Sequence, residues 1–84
     1  MIVSYNLKGV GDTLMLVLKD SQGEELTSVR KEDVAAVSIK ETGEVVAWNI
    51  FSASEKITDL SGNGQINLLD AQLTELNAVI KEAG

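Results

Sequence analysis

Asp70-Ala71-Gln72-Leu73-Thr74-Glu75-Leu76-Asn77-Ala78-Val79-Ile80-Lys81-Glu82-Ala83 decides the fold class of this 84-residue chain. Leu73, Leu76, Val79, Ile80 and Ala83 recur at the three- and four-residue spacing of one helical face, while Glu75, Lys81 and Glu82 project elsewhere. The pattern predicts an amphipathic helix over about 70–83, with Asp70 as its N-cap and Gly84 at the C′ position. Its polar face lacks the basic residues expected of a helix lying on anionic lipid, so the apolar stripe is expected to cover a sheet.

The residues before it supply that sheet. Ile2 to Leu7 is apolar and β-prone, Lys8-Gly9-Val10-Gly11-Asp12 gives the backbone freedom for a reversal, and Thr13 to Lys19 resumes with Leu14, Leu16 and Leu18 on one face. Met15 and Val17 on the opposite face are apolar too, which predicts a strand covered on both sides or central in the sheet. After the polar turn Asp20-Ser21-Gln22-Gly23, Glu24 to Arg30 reads as a short strand at or near an edge, its charges blunting edge pairing. Val34 to Lys40 and Val45 to Phe51 flank Glu41-Thr42-Gly43-Glu44, the spacing of a four-residue hairpin loop. Ser52 to Gly64 reads as a structured loop, and Gln65 to Leu68 as a short additional strand. The expectation is a single small α+β domain over residues 1–84, a mostly antiparallel sheet of four or five strands packed by one C-terminal helix.

Composition removes most chemistry. With no cysteine there is no disulfide framework, thiolate zinc site or redox motif, and a cytoplasmic setting is the natural expectation. With no histidine the commonest general base, the partner of Ser-His and Cys-His nucleophile pairs and the usual metal-binding nitrogen are missing. The N-terminus lacks the pattern of a signal peptide, and the longest strongly apolar run is Leu14 to Leu18. Thirteen acidic against seven basic residues leave a net charge of −6, a field that repels phosphate backbones. No cofactor is expected, and neither is an enzyme.

Asp59-Leu60-Ser61-Gly62-Asn63-Gly64-Gln65-Ile66-Asn67-Leu68-Leu69-Asp70 follows the twelve-residue EF-hand loop at several positions. Oxygen-bearing Asp59, Ser61, Asn63, Gln65, Asn67 and Asp70 fall where calcium ligands or their water partners belong, and Gly64 falls at the sixth position, where the loop turns sharply. The pattern also resembles the loop of dockerin modules. Only two of the six carry charge, an aspartate at the twelfth position reaches less far than glutamate, and the preceding residues are too few and too β-prone for an incoming helix. The reading without metal has Asn63-Gly64 making a turn and Asp70 capping the helix, and it is the one we favour.

The aromatic residues Trp48 and Phe51 fall on opposite sides of their strand by alternation, which fits core packing and not a base-stacking platform. Arg30-Lys31 is the only adjacent basic pair and reads as a solvated strand end, since scattered cations do not form an RNA-binding stripe.

Tyr5-Asn6, Gly9-Val10-Gly11-Asp12-Thr13-Leu14, Trp48-Asn49-Ile50-Phe51-Ser52-Ala53-Ser54 and Asn63-Gly64 together resemble the N-terminal domain of the YtpR-type bacterial tRNA-binding proteins, and the likeness covers nearly the whole chain. Trp48 and Ser52 depart from a family segment closer to Phe-Asn-Ile-Phe-Asn. In that family this domain precedes an OB-fold similar to the tRNA-binding region of the phenylalanyl-tRNA synthetase beta subunit. The resemblance therefore implies an N-terminal piece of a longer protein, with Gly84 near a cut before the second domain. It further implies that tRNA is bound through the full-length protein and not mainly through these residues.

The leading expectation is a non-catalytic accessory domain of a tRNA-binding protein, contacting the downstream OB-fold or a protein partner, with no membrane partner. The alternatives are a calcium-dependent interaction module built on Asp59 to Asp70 and, behind it, a small hydrolase.

Overall fold

The computed structural model describes residues 1–6 and 11–83. The Lys8-Gly9-Val10 part of the expected reversal, Leu7 at the end of the first strand and the proposed C′ role of Gly84 lie outside the described residues. Six strands and one α-helix follow in order: β1 (Ile2–Asn6), β2 (Thr13–Val17), β3 (Leu26–Lys31), β4 (Val34–Ile39), β5 (Val45–Phe51), β6 (Gly64–Ile66) and α1 (Asp70–Ala83), with a 3₁₀ turn at Ala53–Glu55. The α+β class stands as expected. The strand count rises to six because Gly64–Ile66, only three residues long, completes the edge beside β1.

All pairings are antiparallel, and the strands lie in the order β3-β4-β5-β2-β1-β6. Two meanders, β1-β2 and β3-β4-β5, meet where β2 pairs with β5, so β2 is central. Side chains directly opposite across such pairs share a face. One row therefore runs Val29, Ala36, Trp48, Leu16, Val3, Ile66, and the face it belongs to is the one α1 covers.

On that face Val3, Tyr5, Leu14, Leu16 and Ile50 form the core with Ala53, Ile57 and Leu76, and Trp48, Ile66, Val79 and Ile80 pack around them. The helical stripe read from the sequence is thus the buried one, with Leu76 at its centre. Replacing a fully buried leucine by alanine costs about 2–5 kcal/mol, so Leu76 alone carries a large share of a small domain's stability.

Between Val37 and Ser38 the β4–β5 register slips: Val37 faces Ala47 but Ser38 faces Val45, leaving Val46 as the extra residue of a bulge. The carbonyl of Val46 then accepts from the N–H groups of both Leu18 and Lys19, at 2.8 and 3.3 Å, where β2 has already ended. That is why the strand expected to reach Lys19 stops at Val17, and why Leu18, expected on the core face, is exposed. Of the two expected settings for β2, covered on both sides or central in the sheet, it takes the central one. Met15 is 40% exposed, so its centrality in the sheet accounts for its apolar character.

Candidate interaction surface

The helix start is held by a side chain that the sequence reading missed. The Leu69 carbonyl accepts from the Leu73 N–H at 2.9 Å, the first bond of the helix, which makes Leu69 the N-cap and Asp70 the first helical residue. Asp70 therefore does not occupy the expected cap, although its charge still suits the positive end of the helix dipole. The orphan N–H of Leu69 is taken by Gln72 Oε1 at 2.9 Å, the reach-back half of a capping box. Gln72, a buried polar residue, also donates through Nε2 to the carbonyls of Thr58 at 2.9 Å and Asp59 at 3.3 Å. One amide thus ties the loop before the helix to its first turn.

The candidate calcium ligands are placed by this arrangement. Asp59, Ser61, Asn63, Gln65, Asn67 and Asp70 are all exposed, Asp59 takes a positive φ of 60°, and Gln65 lies within β6 opposite Ser4. Among the described residues there is no cluster of three or more His, Cys, Asp or Glu side chains that could hold a metal.

A second polar cluster joins the sheet to the segment after β5. The Tyr5 hydroxyl donates to Asp12 Oδ1 at 2.7 Å, the Ser54 N–H donates to the same oxygen at 3.0 Å, and the Ser54 hydroxyl donates to Oδ2 at 2.7 Å. The Ala53 N–H reaches the Asp12 carbonyl at 2.9 Å. These bonds use Asp12 as a structural clasp that fixes the end of the β1–β2 hairpin against the 3₁₀ turn.

The remaining large feature is the sheet face turned away from α1. Register places Ile2, Met15, Val17, Val37, Phe51 and Leu26 there, with Ser4, Asn49 and Arg30 between them. Ile2 is 49%, Met15 40% and Leu26 43% exposed, whereas Ala35, Ile39 and Ala47 on the same face are buried. Arg30 lies over the Phe51 ring, 4.1 Å from its centroid, and donates through Nε to the Glu32 carbonyl at 2.8 Å. Trp48 and Phe51 are on opposite faces, as alternation predicts. The basic residues are largely engaged: besides Arg30, Lys19 pairs with Glu44 at 3.1 Å, Lys40 with Glu25 at 3.7 Å and Lys56 with Asp33 at 3.3 Å. An apolar, weakly charged sheet face of this kind suits a protein surface better than a phosphate backbone.

Comparison with known proteins adds to this geometry. Residues 21–84 match the family described as Domain of unknown function (DUF4479). The chain belongs to this family. The DUF4479 domain is also 35% identical over 80 residues to a Bacillus subtilis (strain 168) protein named "Putative tRNA-binding protein YtpR", a match that covers 95% of this chain and 39% of that protein. The chain thus spans well under half the length of this curated relative. No solved structure matches it. No helix among the described residues is long and apolar enough to cross a membrane.

Proposed function

We propose that this domain is a non-catalytic accessory module of a bacterial, cytoplasmic tRNA-binding protein, working through contacts with another domain of that protein or with a protein partner. The observation that carries this reading is the open sheet face, where Ile2, Met15 and Leu26 stay exposed on a domain whose net charge is −6. Burial of such a face rewards a protein neighbour, whereas the acidic field opposes RNA. The similarity to a protein named as tRNA-binding supplies the context.

In this proposal an OB-fold downstream of these residues, similar to that of the phenylalanyl-tRNA synthetase beta subunit, contacts the nucleic acid, and this domain orients it. The stretch from Asp59 to Asp70, which contains β6, delivers the chain from the 3₁₀ turn to α1, without a metal. A tRNA-binding titration of the 84 residues at low salt tests the division of labour. Absent or weak association is expected; tight binding that falls steeply as salt is raised contradicts the proposal.

A further inference from the structure

The two edges of the sheet differ. β6 is three residues long, the usual protection of an exposed edge, whereas β3 runs six residues, is exposed along its whole length and pairs only with β4. It contains neither proline nor a bulge, and Val29 at its middle is 68% exposed. From its place in the fold, we infer that the β3 edge is a self-association surface, pairing antiparallel with β3 of a second copy of this chain about a two-fold axis at Ser28.

The main-chain geometry selects the register. The Lys40 N–H donates to the Glu25 carbonyl at 2.8 Å, so the backbone groups of Glu25, Thr27, Val29 and Lys31 point toward β4. Those of Leu26, Ser28 and Arg30 then point outward, away from the sheet. A two-fold axis at Ser28 sets Leu26 opposite Arg30 of the second copy and Ser28 opposite its own symmetry mate, so that every outward donor meets an outward acceptor. The same register sets Thr27 opposite Val29, a β-branched pair, and Glu25 opposite Lys31, an ion pair that occurs twice by symmetry.

The charges that were expected to blunt this edge are therefore self-complementary in one register. Glu25 stands before the strand and Lys31 at its end, while Arg30 is drawn onto Phe51 of its own sheet and leaves the edge clear. Because the axis is perpendicular to the sheet, the open faces of both copies, with Met15 and Leu26, fall on the same side. The result is one continuous twelve-stranded sheet, twice the six strands of each copy.

Sedimentation velocity over a concentration series is expected to show a reversible monomer–dimer equilibrium. Ser28→Cys is the decisive variant. The chain has no other cysteine, and hydrogen-bonded antiparallel partners lie about 5.5 Å apart at Cα, within disulfide range. Under mild oxidation it should form a covalent dimer much faster than Glu41→Cys, a control in the exposed β4–β5 turn. Lys31→Glu, which sets like charges opposite each other twice per dimer, should weaken association about tenfold with an unchanged circular dichroism spectrum. A chain that remains monomeric at millimolar concentration, or equal cross-linking at positions 28 and 41, overturns the inference.

Discussion

Ser54 bonds both carboxylate oxygens of Asp12, its N–H reaching Oδ1 at 3.0 Å and its hydroxyl reaching Oδ2 at 2.7 Å, across 42 positions of sequence. It joins the turn end of the β1–β2 hairpin to the segment that leads from β5 toward the helix.

Asp12→Ala is expected to destabilise the domain by about 2–3 kcal/mol, because it strands a hydroxyl and an N–H that the carboxylate now accepts from, and the Tyr5 hydroxyl as well. Tyr5→Phe should cost about 1 kcal/mol, and the double variant should cost less than the sum, since the two residues share a bond. Urea denaturation measures all three. A loss under about 0.5 kcal/mol for Asp12→Ala would remove the clasp as a structural element.

Ser52 holds a left-handed backbone, with φ 54° and ψ 42°, immediately before the 3₁₀ turn. Asparagine adopts that conformation at lower cost than serine, which gives a physical reason for asparagine at this place in the family segment that Trp48 to Ser52 resembles. Ser52→Asn should therefore stabilise the domain by about 0.5–1 kcal/mol and raise the melting temperature by about 2–6 °C. Thermal unfolding followed by circular dichroism decides it, and a lower melting temperature would show that the serine hydroxyl matters more than the backbone.

Gln72 accepts from one N–H and donates to two carbonyls while buried. Gln72→Ala is expected to cost about 1–3 kcal/mol, since it leaves the Leu69 N–H and the loop carbonyls without this partner. Gln72→Glu should be at least as damaging at neutral pH: a carboxylate keeps the bond from Leu69 but presents negative charge to the carbonyls of Thr58 and Asp59. Should Gln72→Glu match the wild type in urea midpoint, the bonds to those carbonyls contribute nothing.

Much of this architecture is legible in the sequence where a periodic pattern is long enough to bury one face. Leu76, Val79 and Ile80 of the expected stripe pack into the core from α1, and Leu14 and Leu16 are core. Where the outcome depends on a single main-chain register, the pattern fails. Leu18 continues the alternation of Leu14 and Leu16, yet the bulge at Val46 captures its N–H and ends the strand. Asp70 is a good cap by residue type, but the bond from the Leu69 N–H to Gln72 and the first helical bond to the Leu69 carbonyl make Leu69 the cap and Asp70 the first helical residue. The clasp of Tyr5, Asp12 and Ser54 has no local signature at all, because its members are distant in sequence and only the folded sheet joins them. The one signal available is the family resemblance, whose segments include Tyr5, Asp12 and Ser54.

The open sheet face yields a prediction that separates docking from folding. Met15 is 40% exposed in the middle of β2, so Met15→Glu should change the stability of the domain by less than about 1 kcal/mol. On the proposal that this face docks a neighbouring domain, the same change in a full-length protein should loosen that contact. It would appear as faster amide hydrogen exchange along β2 and β5 than in the unmodified protein. Equal exchange in the two proteins would place the contact elsewhere on the domain.

The Asp59–Asp70 loop matches a calcium site in residue type, and its spatial arrangement decides what that match is worth. Gln65 is committed to β6 opposite Ser4, the Asp59 carbonyl accepts from Gln72, and Asp70 begins a helix whose first turn is fixed by the same glutamine. To gather around one cation these groups would have to abandon a strand pairing and the helix tie, for the charge of only two carboxylates. Calcium sites of high affinity collect more charge than this on a loop free to wrap the ion. Calorimetry with calcium added to the metal-free domain should give no binding heat at millimolar concentration, and no shift of the melting temperature should accompany it. A saturable heat with one ion per chain, abolished by Asp59→Ala, would instead establish the loop as a cation site and require β6 to release β1.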